Sequence, residues 1–137
     1  MSNVAASHHE SSTAHDLAAL QGSWVQIAFE ENGSPDTPDT HGAPGAITTF
    51  ESHHFTVRTL EGKLLLEGDF TLDATTSPKS ITWIDAMGVD KGKRLPASYK
   101  LEGDRFTFIA ADEGMPRPLV FSTQMGQTMR SFVRRGH

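Results

Sequence analysis

The sequence predicts an all-β protein: one antiparallel up-and-down barrel of eight strands, preceded by a short helical turn. Three observations carry this expectation. Short runs rich in Val, Ile, Thr and Phe recur at intervals of about 10 to 15 residues, the spacing of strands joined by tight connections. Turn-forming residues separate them, with 12 Gly and 7 Pro in a chain of 137 residues. After Gly22 no helical periodicity is long enough for the crossovers that a parallel sheet requires. Closure into a barrel removes the exposed edges that so many short strands otherwise leave, and a two-sheet sandwich is the competing arrangement.

Composition narrows the function classes. The chain suffices for one domain and not for two of ordinary size. With 17 acidic against 12 basic residues, the net charge of -5 gives no general attraction to nucleic acid or to an anionic membrane. The absence of Cys excludes disulfides, thiolate metal ligands and a Cys nucleophile together. No apolar run approaches the roughly 20 residues of a membrane span, and residues 1–15 lack the basic and apolar regions of an export signal. The expectation is a soluble, cytoplasmic monomer or homodimer without a cofactor.

Residues 1–15 carry almost no bulky apolar side chain and read as a disordered tail, so the folded domain is expected over 16–137. Asp16 offers an N-cap to the turn Leu17-Ala18-Ala19-Leu20, which Gly22 stops. From Ser23 the period becomes two, with Trp24, Gln26, Ala28 and Glu30 on one face and Val25, Ile27 and Phe29 on the other. Glu31-Asn32-Gly33 ends that strand. Residues 34–45 form a long Pro- and Gly-rich loop. Strands follow at 46–51, 55–60, 63–72, 80–85, 94–101, 105–111, 119–123 and 129–134, with turns between them, a count of eight or nine strands in all.

Leu20-Gln21-Gly22-Ser23-Trp24, opening the first strand after a helical turn, resembles the Gly-x-Trp signature of lipocalin-like (calycin) barrels. The resemblance implies that Trp24 seals one barrel end under a basic side chain from the last strand, Arg134 or Arg135. Six further segments are similar to a bacterial lipocalin-like domain family abundant in planctomycetes: Gly68-Asp69-Phe70-Thr71-Leu72-Asp73, Pro78-Lys79-Ser80-Ile81, Gly88-Val89-Asp90-Lys91-Gly92-Lys93, Tyr99-Lys100-Leu101-Glu102-Gly103-Asp104, Arg117-Pro118-Leu119-Val120-Phe121 and Val133-Arg134-Arg135. The family implies a fold and no agreed activity.

An eight-stranded barrel holds either packed side chains or one small ligand. Trp83, Tyr99, Phe106, Phe108 and Met129, with Arg58 as a polar handle, are the expected lining of a cup for a small hydrophobic or aromatic molecule. An enzyme working by proton transfer in the same cup, an isomerase, cyclase or lyase, is the alternative, with Asp85, Tyr99 and Arg58 as candidate catalytic groups and Arg117 or Arg130 as further carboxylate partners. A filled barrel acting as an interaction domain is the third reading. His53 and His54 alternate across a strand and form no chelating pair, so no metal site is expected, although His41 on the long loop would be needed to complete one. If Trp24 closes one end, the 34–45 loop and the turns at Gly62 and 88–92 belong to the opposite mouth, and His53, His54 and the 73–78 turn belong to the closed end.

Overall fold

In the computed structural model, which describes residues 4–36, 45–88 and 90–135, a helix leads into nine antiparallel strands. They are α1 (Val4–Leu20), β1 (Gly22–Glu31), β2 (Ser34–Asp36), β3 (Ile47–Glu51), β4 (His54–Arg58), β5 (Leu64–Asp73), β6 (Lys79–Asp85), β7 (Arg94–Glu102), β8 (Arg105–Ala111) and β9 (Gln127–Arg134). From β3 to β9 each strand pairs with the next, and β1 pairs with both β3 and β9. Eight strands therefore close a barrel of calycin-like form, and the sandwich is excluded. The ninth, β2, is a hairpin extension of β1 at the rim. Its two-residue turn uses Asn32 and Gly33, both at positive φ (51° and 88°), the conformation whose twist suits a tight hairpin. No helix among the described residues is long and apolar enough to cross a membrane.

Strict alternation fails in β1 for a physical reason. The register to β9 shifts between Gln26 and Ala28, so Ile27 is an extra residue that reverses the faces beyond it. Phe29, expected on the opposite face from Trp24, instead lies beside inward-facing Arg130 and is buried.

One end of the barrel is sealed by a layered plug. Trp24 is fully buried, its Nε1 donates to the Leu20 carbonyl at 2.8 Å, and the Arg134 guanidinium stacks 4.3 Å above its ring. Arg134 is thus the basic partner. It also donates to the carbonyls of Ala19 and Gln21 and to Asp104, supplying a positive charge and donors to the unpaired C-terminal carbonyls of α1. Asp16 is no N-cap: it lies inside α1, which extends well N-terminal of the expected turn. Its buried carboxylate accepts from Tyr99 Oη at 2.7 Å and Lys79 Nζ at 2.9 Å, fastening the helix across the barrel end. Gln21 holds the β3–β4 turn from the same side, accepting from Ser52 N–H and donating to the Ser52 carbonyl.

Residues 119–123 are not a strand. The segment 112–126 instead straps the outer face of the barrel, where Ser98, Ile109, Met129 and Glu30 form one outward row across four strands. Ser98 donates to the Pro118 carbonyl, Arg117 donates to the carbonyls of Ile81 and Ala97, and Glu30 accepts from both the backbone and the hydroxyl of Thr123. Those two bonds hold the Glu30 carboxyl below its ordinary pKa. Side-chain bonds at Pro118 and Thr123 and turn bonds from the N–H groups of Asp112 and Met115 anchor the strap without a strand ladder.

Candidate functional site

The strand directions place the turns at Gly62 and 86–93, the β1–β2 hairpin and the start of the strap around the end opposite Trp24, while Ser52, His53 and the 74–78 turn lie at the sealed end. Residues 37–44 of the long loop, with His41, are outside the described residues. At the open end lies a cavity of about 490 Å³, within the range of small-molecule sites.

Its walls are aromatic. Phe50 on β3, Phe55 on β4, Trp83 on β6, Phe108 on β8 and Phe132 on β9 all line it. Trp83 is the hub, with Phe55 edge-on at 5.2 Å and Phe108 at 4.8 Å between ring centroids. Below them Phe106 packs against Trp24, Phe50 and Tyr99 and forms the floor layer that separates the cavity from the plug. Gly68 makes the Phe55–Trp83 contact possible. It pairs with Phe55 on one side and Asp85 on the other, and a Cβ there would run into the Ile84 carbonyl oxygen and stand 2.9 Å from the Phe55 ring.

Polar groups sit on two sides of this apolar space. Arg130 enters from β9, donates to Gln26 Oε1 at 2.9 Å and lies 4.6 Å over the Phe29 ring. Burial lowers its pKa, and the charge of Glu31 acts in the opposite sense. Asp85 on β6, Asp90 on the following turn and Asp112 after β8 make the acidic side. Burial, followed by repulsion from Asp90, pushes the Asp85 carboxyl up to about 6. The indole N–H of Trp83 is buried and has no hydrogen-bond partner among the described residues.

The Asp85 shift has a sign that can be measured. A carboxyl raised in the folded state binds its proton more tightly there than in the unfolded chain, so its ionisation destabilises the fold above about pH 6. That cost fades as the pH falls toward the ordinary Asp value. Asp85→Asn is expected to raise stability by about 1 to 2 kcal/mol at pH 7.5, after discounting for partial exposure, and to leave it unchanged near pH 4. Urea melts of both proteins at the two pH values read the difference.

Several expected lining residues lie elsewhere. Arg58 points out of the barrel, exposed, and donates to the Gly62 carbonyl, because its neighbours Phe55 and Val57 take the inward positions. Met129 faces outward under the strap, since inward-facing Arg130 fixes the parity of β9. Tyr99 points inward at the sealed end, where burial and its bond to Asp16 push its phenol pKa up, and it does not reach the cavity. Phe106 is floor and not wall. Of the expected residues, Trp83, Phe108, Asp85 and Arg130 share the cavity. Arg117 is spent on backbone carbonyls beneath the strap. His54 sits at the other end, 3.0 Å from Asp69, and no cluster able to hold a metal occurs among the described residues.

Sequence reasoning missed Phe132 and the partnership of Gln26 with Arg130. Phe132 stands midway between Arg130 and Arg134 at the same parity, a signal available once Arg134 is assigned to Trp24. Compared with known proteins, the chain matches no family model, no curated protein and no solved structure.

Proposed function

We propose that the barrel binds a small hydrophobic or aromatic molecule in the open-end cavity. The observation that carries this reading is an aromatic wall that leaves about 490 Å³ unfilled while burying the Trp83 N–H without an acceptor among the described residues. An unfilled apolar space forfeits packing energy, and a buried unpaired donor loses the hydrogen bond it had in water. A ligand with an apolar body and an accepting atom offsets both. The two tryptophans make the test direct: Trp24 is sealed in the plug and supplies a constant background, so a change in emission on titrating a panel of apolar ligands reports Trp83. Absence of quenching or shift across the panel overturns the reading.

The same proposal places the chain among the planctomycete-type bacterial lipocalin-like domains, supported by the six ordered segments quoted above. A second reading, proton-transfer catalysis, is favoured by one observation: Asp85, titrating near 6, shares a cavity with Arg130. Deuterium incorporation into a bound ligand in heavy water, seen with the native protein and lost in Asp85→Asn, is its expected signature. No incorporation for any ligand that binds removes it.

A further inference from the structure

The polar groups of the cavity are unevenly paired, and the imbalance names a ligand chemistry. Arg130 brings five N–H donors into an apolar wall. Among the described residues one oxygen, Gln26 Oε1, accepts from them, and the guanidinium carbon lies 4.6 Å over the Phe29 ring. Register keeps it in place from both sides, since Arg130 pairs with Phe29 on β1 and with Phe108 on β8. Phe108 in turn touches Trp83, whose N–H has no acceptor among the described residues. The guanidinium side of the cavity thus presents donors in excess of acceptors, joined by an unbroken aromatic surface. The carboxylates of Asp85 and Asp90 stand on β6 and on the turn after it, across the barrel from the β1–β9 seam that carries Arg130, whereas Asp112 follows β8 and its N–H donates to the Gly126 carbonyl just before β9.

We propose that the occupant of this cavity is an apolar molecule ending in a carboxylate, with the carboxylate against Arg130 and the apolar body across Phe108, Phe132 and Trp83. The proposal rests on the ligand-binding reading and sharpens it. A preoriented, largely desolvated guanidinium suits a planar two-oxygen acceptor, because both oxygens meet N–H groups of one fork. Glu31, the other charge acting on Arg130, offsets part of the burial penalty and leaves the guanidinium cationic. An amine would have to find its partner among the three aspartates instead, so a matched set of ligands separates the two sides of the cavity.

The experiment is calorimetry on the native chain with three probes that share one apolar body: 4-phenylbutanoate, 4-phenylbutanamide and 4-phenylbutylamine. The acid is expected to bind about tenfold or more tighter than the amide, the scale of a charge-assisted pair in a partly buried site, and the amine weakest. In Arg130→Gln the acid should fall to the affinity of the amide, while the amide itself changes less than about twofold. Arg130→Lys, which keeps the charge and loses the fork, should retain a reduced preference for the acid, and it serves as the test if Arg130→Gln fails to fold. Equal affinities for the three probes on the native chain overturn the carboxylate proposal and leave ligand binding standing. Tightest binding by the amine overturns it in favour of the acidic rim. Binding by none of the three, together with a silent fluorescence panel, removes both readings.

Discussion

Replacing Trp24 with alanine will lower the unfolding free energy by about 3 to 5 kcal/mol, the range for large aromatic truncations in well-packed interiors. The expected value lies toward the upper end because three losses coincide. The indole is fully buried, its bond to the Leu20 carbonyl ends α1, and Arg134 loses the ring on which it stacks. The carbonyls of Ala19 and Gln21 are capped by that same arginine. Removing the ring loosens helix, first strand and last strand together. Chemical denaturation followed by far-ultraviolet circular dichroism gives the number, and a change below about 1 kcal/mol would show that the end is closed by something other than Trp24.

The second large effect belongs to a glycine packed behind the cavity wall, against Phe55. Gly68→Ala is expected to cost about 2 to 3 kcal/mol, the upper part of the range for overpacking, because the new methyl meets a backbone carbonyl, which has no rotamer to retreat into. Its other neighbour, the Phe55 ring, can turn away only by giving up its edge contact with Trp83. The variant should therefore alter Trp83 emission in the absence of any ligand as well as lowering stability. Unchanged emission with a cost below about 0.5 kcal/mol would mean that β5 and β6 separate freely at this point.

Most of the barrel was legible in the sequence because its strands face inward at every second residue and its turns carry residues that tolerate positive φ. The placement of turns at two ends follows from counting strands upward and downward from Trp24. What was not legible has identifiable causes. A single extra residue, Ile27, moves Phe29 to the interior, and no local pattern distinguishes such an insertion from continued alternation. The 119–123 segment has strand-like composition, yet it is held to the outer face by Glu30 on Thr123 and Lys100 over the Phe121 ring, with Ser98 on the preceding Pro118 carbonyl, a tertiary arrangement invisible to period and propensity. Asp16 carries a good capping side chain and is used 83 residues away on Tyr99. In the cavity, Trp83 and Phe108 were recognisable as aromatic residues on inward faces, whereas Met129 and Arg58 required a parity that only a fixed neighbour supplies. Arg134, once placed over Trp24, settles the parity of β9 and with it Phe132 and Arg130.

The pairing of β1 with β9 also constrains how the protein comes into being. As the chain leaves the ribosome, β3 to β8 can zip one hairpin at a time, each strand finding a partner made moments before. The other edge of β1 is covered only when the last strand emerges, and until then the nascent sheet carries open edges on both β1 and β8. Closure is consequently a late, long-range event. A message cut short before Arg134 yields a curved sheet with unpaired strand edges and an unstacked indole, a species prone to edge-to-edge association and readily cut by proteases.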